Sequence, residues 1–252
     1  MRSIAYSLAL ALMLPLVAVA GWQQDFDDDC AATALKWKPS TNGLVDAWAM
    51  NGTASYFGTH NLTVTTSLTN GPNGTANTAY FFSGTKRISY PITGFPTGNT
   101  PHTVSMWIWG SSSSQYHDSF FEWGEYGAGT DPARIIGYQS SPANGNLMFN
   151  CWVPDIYPLT NTVLSGSAWT HVCNTFDGTN MMTYFNGTLV NSIRITTNLQ
   201  TQITGGSGLY NTLGGNAFGN GALINVRISQ YYLYSRVLPA SEVLQMSTYR
   251  GP

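Results

Sequence analysis

The chain has 252 residues, of which 43% are hydrophobic, 13% aromatic and only 9% charged. A chain of this length and composition can bury a large core as one domain or two, and its apolar and aromatic content excludes intrinsic disorder. Lys and Arg total 10 against 12 Asp and Glu, a formal net charge of −2. This balance gives no electrostatic basis for binding nucleic acid, which needs a basic surface.

The N-terminal segment predicts export. Arg2 precedes an apolar run from Ile4 to Ala20 that ends in Ala18-Val19-Ala20, ahead of Gly21. This pattern is typical of a secretory signal peptide over residues 1–20. An uncleaved membrane anchor remains the alternative, because about 17 helical residues span roughly 25 Å, slightly less than the ~30 Å hydrocarbon core. The protein is therefore expected to be secreted or to lie at a cell or virion surface.

Residues 21–42 are interpreted as an acidic linker, with residues 43–252 as the folded domain. Asp25, Asp27 and Asp29 have the first three spacings of a calcium-binding EF-hand loop. The loop pattern then fails, because Cys30 stands where it needs Gly and Lys36 where it needs Glu.

Short runs with apolar residues at every second position predict strands along most of the domain. The predicted strands are Val45 to Met50, Leu62 to Thr66, Ala79 to Ser83, Thr103 to Trp109, Ser119 to Trp123, Ala133 to Tyr138, Leu147 to Val153, Trp169 to Phe176, Met181 to Phe185, Leu189 to Ile195, and Leu223 to Tyr234. The last run is read as two segments or as one bulged strand. Only the segment from Pro239 to Met246 predicts a helix. Proline is favoured at the start of a helix, and Glu242 lies in the predicted first turn, where an acidic side chain is favourable. Many strands without intervening helices predict an all-β fold of two antiparallel sheets packed as a sandwich.

Three cysteines in an exported chain favour one disulfide and one odd thiol. Cys151 and Cys173 lie in strand-like runs separated by one loop, so a disulfide between them is available if these strands are antiparallel neighbours, with Cys30 as the competing partner. No cysteine and histidine spacing predicts a structural zinc site.

Four Asn-x-Thr sequons predict glycosylation at Asn51, Asn61, Asn73 and Asn186. Three of them are also Asn-Gly pairs, which are preferred in tight hairpin turns.

Several of these segments, in chain order, resemble the laminin G-like and pentraxin-like domains of the concanavalin A-like lectin and glucanase superfamily. The resemblance rests on Gly43-Leu44-Val45-Asp46-Ala47-Trp48, on Ala79-Tyr80-Phe81-Phe82-Ser83-Gly84, on Thr103-Val104-Ser105-Met106-Trp107-Ile108, on Trp169 to Gly178 followed by Tyr184-Phe185-Asn186-Gly187, and on Leu233 to Val243. It implies a jelly-roll sandwich with one short C-terminal helix. Along the predicted strand Trp169 to Phe176, side chains alternate between two faces. His171 shares one face with Trp169 and Cys173, and Val172 and Phe176 lie on the other. Both faces are apolar, which predicts a central strand, so His171 is interpreted as a structural residue.

Related domains often bind calcium, but this chain has Ser83-Gly84-Thr85-Lys86-Arg87 and Ser229-Gln230 where the family is frequently acidic. No cofactor is therefore predicted, with Ca²⁺ as the alternative and Asp131, Asp155 and Asp177 as dispersed candidates. Glu122 and Glu125 are three residues apart, so in a regular strand they point to opposite faces and do not flank one glycosidic bond. No catalytic residue and no enzymatic activity are predicted.

Ligand binding is predicted at aromatic residues interpreted as loop residues, since aromatic rings stack on sugars. The candidates are Tyr56, Phe57, Tyr116, Tyr126, Tyr157, Tyr210 and Phe218. The predicted function is surface recognition or adhesion, with a glycan or protein partner, or a role in an extracellular coat. The alternatives are a virion or filament surface protein, packed against neighbouring subunits and held by its apolar N-terminus, and a glycoside hydrolase.

Overall fold

The structure is a computed structural model that describes residues 39–84, 86–110, 119–126, 133–140, 146–150, 157–164, 166–196, 198–199, 201, 203, 209–214, 223 and 225–250. All of them belong to one compact unit that starts at Pro39. The predicted signal peptide and most of the predicted linker lie outside this part, and their boundaries stay predictions.

The described residues form sixteen strands and one helix. In chain order these are β1 (Leu44–Trp48), β2 (Thr63–Val64), β3 (Ser67–Thr69), β4 (Ala79–Phe82), β5 (Ile88–Ser89), β6 (His102–Trp109), β7 (Ser119–Tyr126), β8 (Ala133–Ser140), β9 (Asn146–Asn150), β10 (Tyr157–Val163), β11 (Trp169–Phe176), β12 (Asn180–Phe185), β13 (Thr188–Arg194), β14 (Leu209–Tyr210), β15 (Thr212–Leu213), β16 (Val226–Tyr234) and α1 (Ala240–Thr248).

The strands form two eight-stranded antiparallel sheets, as predicted. The first sheet has the order β13-β12-β11-β6-β16-β4-β3, and β1 also pairs with β16. The second sheet has the order β10-β9-β8-β7-β15-β5-β2, and β14 also pairs with β7.

The hydrophobic core lies between the inner faces of the two sheets. Phe82, Val104 and Ile228 of the first sheet share one buried cluster with Phe121 and Leu213 of the second. The rings of Phe121 and Tyr231 meet across the sheets at a centroid distance of 5.3 Å. Because each strand alternates, its remaining residues form the outer face of its sheet.

Helix α1 and the residues after it cover part of the outer face of the first sheet. The helix packs on β11 and buries Val243 and Met246. After the helix, the Tyr249 carbonyl accepts a hydrogen bond from Trp107 Nε1 at 3.0 Å. The predicted C-terminal helix is therefore confirmed, and its apolar positions bury a second, smaller surface.

Strand β16 is one bulged strand, one of the two predicted forms. Its register with β6 shifts between Ser229 and Tyr232, and Gln230 has a φ of 50°. This irregularity lets the first half of β16 pair with β4 and the second half with β1.

The sequence analysis missed several strands for identifiable reasons. β3, β5, β14 and β15 have only two or three residues each, too few to show a period. β10 contains Pro158, which argues against a central strand, but β10 is the edge strand of the second sheet. An edge strand tolerates proline because one side of its backbone has no partner strand.

Within the part of the chain that the structure describes, no helix has the length and apolar character needed to cross a bilayer.

Candidate functional site

A row of directly opposed residues crosses five neighbouring strands on the outer face of the first sheet. We call these residues the aromatic row: Ser67 on β3, Phe81 on β4, Arg227 on β16, Trp109 on β6 and Trp169 on β11. Each is the direct cross-strand partner of the next. Neighbouring strands lie about 4.8 Å apart, so the row is roughly 19 Å long.

The alternation of each strand explains why these side chains point outward. Phe82, Ile108 and Val226 are the sequence neighbours of row residues, and all three lie in the core at no more than 1% exposure. Phe81, Arg227, Trp109 and Trp169 are half-buried and Ser67 is exposed. The row thus presents aromatic and cationic groups at the surface, near the end of β6 and the starts of β11 and β16.

Arginine side chains stack on the tryptophans of β6. The guanidinium carbon of Arg227 lies 4.3 Å from the Trp109 ring centroid. Two residues along the same face, the guanidinium carbon of Arg250 lies 5.0 Å from the Trp107 ring centroid. Arg227 Nε is buried and has no hydrogen-bond partner in the described structure.

A surface pocket adjoins one end of the row and has a volume of about 410 Å³. Its lining residues are mostly hydroxyl-bearing: Thr65, Thr66, Ser67, Phe81, Ser83 and Lys86. Ser67 and Phe81 belong to both the pocket and the aromatic row. Hydroxyl groups, an ammonium and an aromatic ring are groups that bind a polyhydroxylated ligand.

Tyr56 and Phe57, predicted as ligand-binding candidates, form a second exposed aromatic feature. Their side chains are 65% and 49% exposed, and their rings meet edge to face at a centroid distance of 5.0 Å. Tyr126, Tyr157 and Tyr210 lie in β7, β10 and β14, so their interpretation as loop residues was wrong. Tyr116 and Phe218 lie outside the described residues.

A buried Asp–His pair fixes the loop that carries Tyr56 and Phe57. Asp46 Oδ2 lies 2.6 Å from His60 Nδ1, and both side chains are almost completely buried. His60 Nε2 lies 2.9 Å from the Thr93 carbonyl oxygen, and the Phe57 backbone N–H donates to Asp46 Oδ1 at 3.2 Å. Both ring nitrogens of His60 thus have an oxygen atom within hydrogen-bond distance.

The acids on β7 are buried. Glu122 and Glu125 are each 1% exposed. The two carboxylate oxygens of Glu122 accept hydrogen bonds from Ser119 Oγ at 2.8 Å and Thr212 Oγ1 at 2.7 Å. This geometry gives Glu122 a structural contact within the second sheet.

His171 and Cys173 lie on the outer face of β11, opposite Val172 and Phe176, as predicted. His171 Nε2 lies 2.8 Å from Ser105 Oγ, and burial lowers the pKa of His171 to about 3. Burial also raises the pKa of the Cys173 thiol well above its usual value. Both side chains are at most 1% exposed, so His171 is neutral near pH 7 and the thiol is protonated.

The premise of a Cys151–Cys173 disulfide was wrong. β9, which precedes Cys151, is in the second sheet between β8 and β10, whereas β11 is in the first sheet between β6 and β12. The strands are therefore not antiparallel neighbours, and Cys173 is a free, buried thiol in the structure. Cys151 and the competing Cys30 lie outside the described residues.

The predicted glycosylation sites differ in their surroundings. Asn51, Asn61 and Asn73 are exposed. Asn186 is exposed as well, but its side-chain oxygen accepts a hydrogen bond from the His171 backbone N–H at 2.9 Å. Asn186 and Gly187 have φ values of 49° and 81°, as a type I′ hairpin turn requires. Glycosylation of all four residues stays a prediction.

No group of three or more metal-ligating His, Cys, Asp or Glu side chains occurs among the described residues. Asp177 is bound locally, where its Oδ1 accepts hydrogen bonds from the N–H groups of Thr179 and Asn180 at 2.7 and 2.6 Å. Asp131 and Asp155 lie outside the described part, and calcium binding stays untested.

Sequence reasoning missed the aromatic row. Phe81, Trp109 and Trp169 were assigned to strands but not to a common surface, and Arg227 was not singled out. The available signal was the alternation of each strand, which puts a large aromatic residue on the face opposite the core. Strand register, which only the folded chain defines, brings these residues into line.

The fold and the sequence place the chain in a known class of lectin-like sandwiches. A model of the concanavalin A-like lectin/glucanases superfamily matches residues 82–244, which is more than half of the chain. The chain therefore belongs to that superfamily, and the predicted laminin G-like resemblance is confirmed. No curated protein sequence matches the chain.

Solved structures with a similar fold include carbohydrate-active proteins. Domain 4 of AbnA, a GH43 extracellular arabinanase from Geobacillus stearothermophilus solved with arabinotriose, has 18% identity and a TM-score of 0.59, with 81% of this chain and 98% of that chain covered. Trypanosoma rangeli sialidase in complex with the inhibitor DANA has 15% identity and a TM-score of 0.55, with 82% and 33% covered. The binding domain of Paraclostridial Mosquitocidal Protein 1 has 16% identity and a TM-score of 0.53, with 82% and 52% covered. This chain thus spans only about a third of the sialidase and about half of the mosquitocidal binding domain.

These comparisons contradict the functional prediction of an exported, non-catalytic domain for surface recognition or adhesion with a glycan or protein ligand, or for an extracellular coat. The similar structures include an arabinanase domain and a sialidase, both glycoside hydrolases. The supported statement is that the chain has the lectin-like fold of the concanavalin A-like superfamily. At 18% identity or less, the likeness carries no catalytic assignment.

Proposed function

We propose that this chain binds carbohydrate on the outer face of the first sheet, along the aromatic row. The observation that carries the proposal is the cross-strand alignment of Phe81, Arg227, Trp109 and Trp169 at the surface. Contiguous aromatic side chains at a surface commonly mark a ligand-binding or interaction site. A row of aromatic and hydrogen-bonding side chains suits a chain of sugar rings, which offers apolar faces and hydroxyl edges.

The pocket beside the row supports the same proposal. The Thr65 and Thr66 hydroxyls donate to the carbonyl oxygens of Arg87 and Phe81, whereas the hydroxyls of Ser67 and Ser83 can donate to and accept from a sugar hydroxyl. Membership in a superfamily that includes lectins is consistent with this chemistry.

A glycan array probed with the purified protein tests the proposal, followed by titration calorimetry with the best ligand. We expect saturable binding, and we expect Trp169→Ala to weaken it by about tenfold or more, because loss of one stacking ring removes roughly 1–2 kcal/mol. Tyr56→Ala is the matched control, since it removes an exposed aromatic ring from the other aromatic feature. Binding lost in Tyr56→Ala but kept in Trp169→Ala would place the site on the loop and refute the aromatic row.

A further inference from the structure

The aromatic row and its pocket carry positive charge. Arg227 lies at the centre of the row, and Lys86 lines the pocket at its β3–β4 end. Arg250 stacks on Trp107 two residues along β6 from Trp109, and its Nη1 donates to the Pro72 carbonyl oxygen at 3.2 Å. Neither Arg227 nor Lys86 has an ion-pair partner among the residues that the structure describes.

The described carboxylates lie elsewhere in the fold. Asp46 pairs with His60, and Glu242 pairs with Arg236. Glu122 accepts hydrogen bonds from hydroxyl groups within the second sheet, and Glu125 lies on the same strand. Asp177 caps the turn after β11. None of them lines the pocket or belongs to the row. The positive charge on this surface is thus not neutralised by any described side chain.

Arg227 is held in an orientation that suits an anion. Its guanidinium stacks on Trp109 at 4.3 Å, which fixes the plane of the group. Its buried Nε has no hydrogen-bond partner in the described structure, and a buried donor without a partner costs free energy. An oxyanion on a ligand can accept from the two terminal Nη groups of the guanidinium in a bidentate manner, which is a strong, charge-assisted form of hydrogen bonding.

We propose that the saccharide recognised along the aromatic row carries an anionic group, a carboxylate or a sulfate, bound by Arg227 with Lys86 as a second positive charge. This inference rests on the proposed carbohydrate binding and deepens it. A neutral sugar leaves both cations without a counter-charge, whereas an acidic sugar satisfies them and still stacks on the aromatic rings. The ligand class is therefore an acidic oligosaccharide.

The test is a glycan array of matched pairs: uronate oligosaccharides with their neutral methyl esters, and sulfated oligosaccharides with their desulfated forms. We expect the anionic member of at least one kind of pair to bind about tenfold or more tightly than its neutral partner, since hydrogen bonds to charged groups are stronger than those between neutral groups. The preference should decrease as the salt concentration rises. The uronate and sulfate arms decide which anion is bound.

Variants separate this inference from the proposed function. Arg227→Gln should abolish the preference for the anionic member, and Arg227→Lys should restore part of it. Lys86→Gln should reduce the preference. Because Lys86 is exposed, Lys86→Gln should not change the unfolding midpoint. Trp169→Ala should weaken both members of a pair alike. If the wild-type protein binds the anionic and the neutral member of each pair equally, and Trp169→Ala abolishes this binding, the inference of an acidic ligand is overturned. The proposed carbohydrate site along the aromatic row would still stand. Binding of no saccharide at all would overturn both.

Discussion

Asp46 and His60 form a hydrogen-bonded pair of side chains that is nearly shielded from water. Their closest atoms are 2.6 Å apart, and the carboxylate also accepts from the backbone N–H groups of Ala47 and Phe57. The His60 carbonyl in turn accepts from Trp48 Nε1 at 2.8 Å. One pair of side chains thus joins the end of β1 to the loop that exposes Tyr56 and Phe57.

Replacing either partner should leave the other polar group buried without its counterpart. We expect Asp46→Ala and His60→Ala each to lower the free energy of unfolding by about 3 kcal/mol. The double variant should lose clearly less than the sum of the two, because the pair is broken only once. Urea unfolding of the four proteins measures this coupling, and additive losses would show that the pair contributes nothing.

The hairpin β12–β13 and helix α1 approach each other closely at one glycine. The turn residue Gly187 has a φ of 81°, and a Cβ there would lie 2.7 Å from Leu244 Cδ1, 2.8 Å from Ser247 Oγ and 3.0 Å from Leu244 Cα. Both the hairpin turn and the helix contact therefore require glycine at this position.

The contribution of the helix contact can be isolated with a second glycine of the same conformation. Gly74 also has a φ of 81°, but a Cβ there would meet no atom within 4 Å. We expect Gly74→Ala to cost about 1 kcal/mol from backbone strain alone, and Gly187→Ala to cost about 1–3 kcal/mol more from displacing α1. Denaturant unfolding of both variants measures the difference in the free energy of unfolding. Equal losses in the two variants would mean that displacing α1 costs no free energy.

The whole molecule should lose stability in mild acid because burial lowers the pKa of two of its histidines, His102 and His171. Burial lowers the pKa of His102 to about 4 and that of His171 to about 3, against about 6.5 in an unfolded chain. The unfolded state therefore binds more protons below pH 6.5. The stabilisation is complete above that pH and is lost progressively as the pH falls toward the folded pKa values.

Titration of each of these two histidines should thus lower the free energy of unfolding by about 2 kcal/mol when the pH falls from 7 to 5. Urea unfolding at these two pH values measures the loss. His102→Phe is the informative variant, because the ring packs between Trp123 and Phe176 at centroid distances of 5.4 and 5.3 Å. Removing its titration should roughly halve the loss, and an unchanged loss would show that His102 is protonated in the folded state.

Local patterns in the chain were sufficient to predict most of the fold. Alternation predicted β6, β11 and β12, Asn186-Gly187 predicted the turn that closes β12–β13, and Pro239 with Glu242 predicted α1. Each of these signals acts over a few residues, so it can be read without knowing the rest of the structure. Strands of two residues, and the proline-containing edge strand β10, carry no such signal.

The partners across strands depended on the folded chain. Phe81, Trp109, Trp169 and Arg227 are separated by tens of residues in sequence, and only the antiparallel register of β4, β16, β6 and β11 aligns them. In the same way, assignment of β9 and β11 to different sheets removed the premise of the Cys151–Cys173 disulfide. Side-chain alternation is a local property fixed by the backbone, whereas strand register and sheet membership depend on long-range packing of the core. The proposed binding surface depends on strand register and sheet membership, so only the tertiary structure defines it.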